Sequence, residues 1–383
     1  MKKLYWLGLA LLVIFEILVV WLIMPLPASQ DASRVLMAWT FYHWRWPVRV
    51  ILGLLTISGL ADSLKKDSRL LIGASAIAAI TIILIFNFKF TADHMFLQPG
   101  KIQFAGITDL SIDESAQVLA LERNGEAKAY PLRYLIYHHQ VRDSIGGMQI
   151  MVTYCSVCRT GRIYHPMVQG KLETFRLAGM DLYNAMFEDE TTGSWWRQAN
   201  GEAIAGPLKG TFLPEVTSAQ MTKRKFFSLY PEGTIMLPDN SFRSEYDSIG
   251  NYETGKSKKK LTGTDSLSWK DKSWVVGVTV GTTPIAFSWN DLTPTRLIHT
   301  TVADKHIVLM LSEDKFSFNA FESDAPVTSA SVASDTLIIN GQSYDFSGKG
   351  LGGEGNLKKL SAYQEFWHSW RTFHPSTLQY GIK

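Results

Sequence analysis

A chain of 383 residues with a formal net charge of +3, 46% apolar residues and a mean hydropathy of zero suits either a greasy globular protein or a membrane hybrid. The small positive charge is not gathered into a basic stripe, which gives no case for nucleic acid as a partner. No phosphate loop, nucleophile elbow or dinucleotide fingerprint occurs in the sequence, so no nucleotide-binding or hydrolase motif directs the reading.

Distribution decides between the two classes. The long apolar runs lie in the first ninety residues, and the chain after Asp93 has the mixed polarity, frequent Gly and scattered Pro of an aqueous domain. Residues 1–90 therefore read as a membrane region with helices near 4–24, 46–64 and 70–88. The first run, Leu4 to Met24, holds one acid, Glu16, in a stretch long enough to cross about 30 Å of hydrocarbon at about 1.5 Å per residue. That acid suits either an intramembrane function or a helix-packing contact. The second run reaches spanning length when Trp46, Pro47 and the edge to Leu64 are included, with Arg49 snorkelling to the interface. The third, Leu70 to Phe88, is uncharged. A cleaved signal peptide is rejected for the first run, because a signal's apolar core covers only about 7–15 residues.

Cytoplasmic loops carry an excess of Lys and Arg near helix ends. Lys2 and Lys3 precede the first span, and Lys65, Lys66 and Arg69 separate the second from the third. Trp39, Tyr42, Trp44 and Trp46, between the first two spans, suit a membrane interface. Three spans that start inside finish outside. The expectation is a multi-pass protein of a bacterial inner membrane, with the bilayer as its partner, a cytoplasmic N-terminus and a periplasmic domain from about residue 91.

That domain is patterned for strands. Val118 to Glu122, Gln149 to Tyr154, Trp274 to Val278, Ile307 to Leu311 and Thr336 to Asn340 are short, rich in β-branched residues and bounded by Gly, Asp or Asn. Pro131 to His138, Ser218 to Phe227 and Leu360 to Trp370 look helical. The series opening at Gly125 to Leu132 resembles the one opening at Gly281 to Phe287, and Phe227 to Pro231 resembles Arg371 to Pro375, which points to an internal duplication. The expected fold is thus a three-helix transmembrane segment followed by a mainly β domain with some α, made of two half-domains. Its parts are 91–238, a polar exposed connector at 239–271 carrying Lys256 and Lys258 to Lys260, and 272–383.

Chemistry concentrates in Thr153-Tyr-Cys-Ser-Val-Cys-Arg-Thr-Gly161, which holds the only two cysteines of the chain. Cys155 and Cys158 at this spacing can cycle between dithiol and disulfide, with Arg159 favouring the thiolate and His138, or else His139 or His165, assisting proton transfer. Whether that makes the chain an enzyme stays open; a redox partner protein is what such a pair would need. The alternative is a soft-metal site, Zn or Cu, on Cys155 and Cys158 with His139 and His165, although the spacing matches no standard zinc ribbon or finger. Met180 and Met186 keep copper open. No cofactor is otherwise implied. A third reading, a disulfide that merely staples a loop, gains little because so short a ring removes little chain entropy. A second constellation, Asp181, Asn184, Asp189, Trp195, Trp196 and Gln198, suits a ligand groove or equally a set of tight turns over a Trp-filled core.

These residues carry a resemblance. Thr153-Tyr-Cys-x-x-Cys-x-Thr-Gly161, Asp189-x-x-Thr-x-Ser-x-Trp-x-Gln198, Gly201-x-Ala-Ile-x-Gly-Pro-Leu-x-Gly210 and Phe366-Trp-x-x-Trp370 with Phe373-His-Pro375 resemble the bacterial domain-of-unknown-function family numbered 3179, from about Ile102 to the end. Some of its relatives are described as selenoproteins with selenocysteine in the motif matching Cys155 and Cys158. The resemblance therefore implies a redox centre or strong soft ligand there. The family commonly shows His-Glu where this chain has His138-His139, and Asn where it has Arg142. If that acid is a base or a ligand, histidine must take its place here.

Overall fold

The computed structural model describes residues 2–108, 111–353 and 355–382; the Lys2 side chain used to read the orientation lies outside the described side chains. The chain divides into two compact units, one of Met1–Leu97, Glu173–Arg197 and Glu202–Phe212, the other of Gln98–Leu172, Gln198–Gly201 and Leu213–Lys383.

In the first unit α1 (Lys2–Ile23), α2 (Val35–His43), α3 (Arg45–Lys66) and α4 (Arg69–Phe88) follow one another. α1, α3 and α4 are long and apolar enough to cross a membrane, at the places the sequence predicts. Glycine lets α1 and α3 touch: a Cβ on Gly59 would lie 2.1 Å from the Tyr5 amide nitrogen, and one on Gly8 2.5 Å from Thr56 Oγ1. Close approach through small residues substitutes for a hydrophobic drive that lipid does not supply. One polar residue from each spanning helix joins them. Arg49 Nε and Nη2 donate to the two carboxylate oxygens of Glu16 at 2.6 and 2.7 Å. Nη2 also donates to Asn87 Oδ1 at 2.7 Å, and Asn87 Nδ2 to Glu16 Oε2 at 2.8 Å. Arg49 therefore turns inward rather than snorkelling, because a buried acid recruits the nearest cation.

A four-stranded antiparallel sheet completes this unit: Phe175–Asp181, Asn184–Asp189, Trp195–Arg197 and Ala203–Ala205. Trp39 Nε1 donates to the Gly193 carbonyl at 2.9 Å, and Arg176 Nη2 to the Tyr42 hydroxyl at 2.7 Å. A Cβ on Gly179 would lie 2.4 Å from the Ile23 carbonyl oxygen. Chain order placed this sheet in a half-domain at 91–238; in space it packs on the helices. Trp39 and Tyr42 are taken up by the sheet, whereas Trp44 and Trp46 stay exposed.

In the second unit Gln117–Arg123 (β1) and Glu126–Pro131 (β2) form a hairpin. α5 (Leu132–His138) follows, then the antiparallel run Gln140–Ile145 (β3), Met148–Cys155 (β4) and Thr160–Tyr164 (β5). Ala219–Thr222 (β6) returns antiparallel to β1, α6 (Lys223–Leu229) follows, and Thr234–Met236 (β7) lies parallel to β2. The same succession recurs. Trp274–Val280 (β8), Thr283–Ser288 (β9), α7 (Trp289–Thr295), Leu297–Val302 (β10), Lys305–Leu311 (β11) and Phe318–Ser323 (β12) repeat the first run. Ala362–Phe366 (β13) then pairs antiparallel with β8, α8 (Trp367–Phe373) follows, and Leu378–Gln379 (β14) lies parallel to β9. Both α5 and α7 end in a left-handed residue, His139 and Arg296. The carbonyls of these two residues accept from Tyr154 N and Leu311 N.

The two arrangements meet at their matching strands, β6 and β13, where Gln220 Nε2 donates to Gln364 Oε1 at 3.1 Å. Each also receives the other's hairpin end. Phe366 N donates to the Cys158 carbonyl at 2.9 Å, and Thr222 N to Ser317 Oγ at 2.9 Å.

The helices expected at 218–227 and 360–370 each begin as a strand. The aromatic spacing Tyr363, Phe366, Trp367, Trp370 imitates a helical stripe, but 362–366 is held by pairing with β8, where Gln364 faces Val276. Gly277 on β8 is required by that packing, since its Cβ would lie 2.1 Å from the Trp370 ring. The connector is not wholly exposed: Tyr246, Tyr252 and Glu253 are buried, while its lysines face solvent.

Candidate functional site

Cys155 ends β4 opposite Thr160, and residues 156–159 close the hairpin. Both cysteines are thiols and both are fully buried. Every residue of the closing loop is tied down. The Tyr252 hydroxyl donates to the Ser156 carbonyl at 2.7 Å. Lys272 Nζ donates to the Val157 carbonyl at 2.8 Å, with His368 Nε2 3.1 Å from the same oxygen. The Cys158 carbonyl accepts from Phe366 N. Arg159, at φ 57°, sends its guanidinium to Gln364 Oε1 at 2.9 Å, the Tyr252 carbonyl at 3.0 Å and the Glu253 carbonyl at 2.7 Å. Its charge stacks over Trp274, 3.7 Å from the ring centre.

Beneath the loop, Arg162 and Glu365 form a buried ion pair at 2.6 Å, and the same carboxylate accepts from Thr160 Oγ1 at 2.8 Å and Ser369 Oγ at 2.8 Å. Gln198 supports the hairpin from the other side, donating to Thr153 Oγ1 at 3.1 Å and the Thr160 carbonyl at 3.2 Å.

Lys272 is the residue the sequence reading missed. Burial pulls its ammonium down to about 8, against the opposing pull of Cys158 and Cys155. It lies 3.1 Å from His368 Nε2, whose imidazole is lowered to about 4 by desolvation and by Lys272 itself. Both come from the half without cysteine, more than a hundred residues along the chain, where no spacing rule links them to the motif.

The histidines named from sequence scatter. His138 is buried, with Nε2 2.6 Å from the Tyr246 hydroxyl. His139 flanks the end of β4, Nδ1 2.9 Å from the Tyr154 carbonyl. His165 follows the far end of β5, Nδ1 2.7 Å from the Gln149 carbonyl, about 16 Å along the strand from the loop at about 3.3 Å per residue. Among the described residues no group of three or more His, Cys, Asp or Glu is placed to hold a metal ion.

Of the proposed groove residues, Asp181, Asn184, Asp189, Trp195 and Trp196 lie in the sheet of the first unit and Gln198 in the second. They serve one another: Asp181 pairs with Arg197 at 2.6 Å, and Asp189 accepts from the Trp196 indole at 2.8 Å. The hollow bordered by Asp181 and Trp195 measures about 10 Å³, room for a single water.

Burial of His139 has a measurable consequence. Desolvation lowers its imidazole to about 4, against the Tyr154 bond that raises it. Below about pH 6.5 the unfolded chain takes up a proton that the native chain refuses until about 4. Stability therefore falls as pH drops through that window, by on the order of 3 kcal/mol at full span. Melting curves from pH 7 to 4 should show the native chain losing stability more steeply than His139→Asn; parallel curves would refute this.

With the geometry in view, the family model described as "Protein of unknown function (DUF3179)" matches residues 99–377. The chain belongs to the DUF3179 family. The DUF3179 match takes in both arrangements of the second unit up to the final short strand, together with the sheet inserted in the first of them between β5 and β6, and it leaves the three candidate spanning helices outside. No curated protein and no solved structure matches the chain.

Proposed function

We propose that Cys155 and Cys158 are a redox pair cycling between dithiol and disulfide, in a DUF3179 domain held at the periplasmic face of a bacterial inner membrane. The observation that carries this reading is the convergence of Lys272 and His368 on the Val157 carbonyl, between the two thiols. An ammonium at that point favours the thiolate, the attacking species. In exchange with a disulfide, one thiolate attacks a sulfur and expels the first thiolate of the oxidant. The second cysteine then attacks the mixed disulfide and releases the other, so the oxidant's two sulfurs leave as thiols carrying the two electrons and two protons that the pair loses. The oxidant is a protein disulfide of a redox partner. Because the loop is covered, exchange requires residues 156–159 to lift from their contacts. The matching strand orders around β1 and β8 support an internal duplication in which one copy kept the thiols.

Thiol trapping of the full chain across graded glutathione and dithiothreitol, with bound metal assayed on the same sample, tests this. A metal-free couple between about −120 and −270 mV supports it; one below about −300 mV means a structural staple. Stoichiometric zinc or copper would favour the soft-metal reading.

Lys272→Met separates the role of the cation. Wild-type thiolate absorbance, referenced to the Cys155→Ser/Cys158→Ser chain, should exceed that of Lys272→Met below about pH 8, where Lys272 is charged. The two titrations should converge above it. Coincident curves throughout would remove Lys272 from the site.

A further inference from the structure

Outside the thiol site, a cavity of about 510 Å³ lies within the helical unit, inside the size range of small-molecule pockets. Leu12, Val19, Val20, Ile83 and Phe88 make its walls apolar, and the Glu16, Arg49 and Asn87 cluster also borders it. It lies toward the end of the bundle where α1 finishes, α3 begins and α4 finishes. Arg45 and Trp46, the first residues of α3, border it there, at the level where charged and aromatic residues meet lipid headgroups.

Not every cation beside this cavity has an ion pair. Glu16 pairs with Arg49 at 2.6 Å, and Asp93 and Glu188 share Arg176 at 3.1 and 2.8 Å. Arg45 has no carboxylate partner among the described residues; it donates to the Tyr42 carbonyl at 2.9 Å and stacks 3.8 Å over the Tyr42 ring. Arg49 uses Nε and Nη2 on Glu16 and Asn87. That leaves the two N–H groups of Nη1 without a protein acceptor among the described residues. One guanidinium without an ion pair and the open edge of a second, both bordering an apolar cavity, complement an anion with an apolar tail.

We propose that this cavity binds one anionic phospholipid, its phosphate on Arg45 and Arg49 Nη1 and the start of an acyl chain between α1 and α4. Phosphate suits the site because its oxygens can accept from two guanidinium groups at once, whereas the ammonium of a zwitterionic head is repelled by those same groups.

The full chain is extracted into a nonionic detergent, washed, and its retained phospholipids are quantified by mass spectrometry. About one phosphatidylglycerol per chain is expected to persist, falling about fivefold in Arg45→Gln, the effect of one basic residue near a lipid surface. Ile83→Trp, which fills the cavity and leaves every charge in place, is expected to lose it as well, with unchanged helix content by circular dichroism. If Arg45→Gln fails to fold, Ile83→Trp decides alone. Retention unaltered by filling the cavity, or retention of phosphatidylethanolamine or a free fatty acid in place of phosphatidylglycerol, overturns the proposal.

Discussion

Glu365→Ala is expected to destabilise the second unit by about 3–5 kcal/mol, the usual cost of removing one member of a buried ion pair. The carboxylate is 1% exposed and receives Arg162, Thr160 and Ser369. Deleting it leaves a guanidinium that is itself 2% exposed with only Glu215, at 3.6 Å, as a carboxylate partner, together with two hydroxyl donors. For a unit of this size each kcal/mol moves the melting temperature by about 2–4 °C, so a fall on the order of 10 °C should appear in thermal unfolding of the full chain. Glu365→Gln, which keeps the acceptor, should lose less, and the paired change Arg162→Met with Glu365→Leu should recover part of the loss. A shift under about 2 °C for Glu365→Ala would show that the pair contributes nothing. Because Thr160 faces Cys155 across the hairpin, the same variant should also expose the thiols, read as faster alkylation of the native chain.

The second large effect lies in the membrane helices. Glu16→Ala leaves the Arg49 guanidinium without its carboxylate, and because Arg49 lies near the start of α3 the cost is expected to stay below the about 2.5–3.5 kcal/mol of a charge at a helix centre. The loss acts on three helices together, because Glu16, Arg49 and Asn87 come one from each of α1, α3 and α4. In detergent the expected result is a lower melting temperature and a larger aggregated fraction. Glu16→Gln, still able to accept from Arg49, should be milder. Glu16→Leu combined with Arg49→Leu should behave better than Glu16→Ala, since it removes both charges from hydrocarbon. Equal stability of Glu16→Ala and the double variant would contradict the account.

Much of this architecture was legible in the chain. Apolar runs of spanning length need no tertiary information, so α1, α3 and α4 could be read directly, and β-branched runs bounded by Gly or Asn gave β1, β4, β8 and β11. The errors arose where burial and pairing override local pattern. Tyr363 to Phe366 looks helical until β8 supplies hydrogen-bond partners. Arg49 looks like an interfacial residue until Glu16 is placed opposite it. At the candidate site, local sequence could supply Cys155, Cys158 and Arg159, since they share one turn. Lys272, His368 and Tyr252 reach that turn only through long-range closure, and a lysine in a polar stretch carries no mark of its destination. The sheet at 175–205 lies inside the family match yet packs on the N-terminal helices, because chain order cannot tell which helices a strand will meet.

The mutual docking of the two hairpin ends also bears on how the protein is made. Arg159 meets Gln364 across 205 residues of chain, and at about 5–20 residues per second the ribosome needs on the order of ten to forty seconds to cover that distance. Until then the contacts that the second arrangement makes with the loop are missing. The loop that holds both thiols is therefore fully fastened only when β13, more than two hundred residues downstream, has been made.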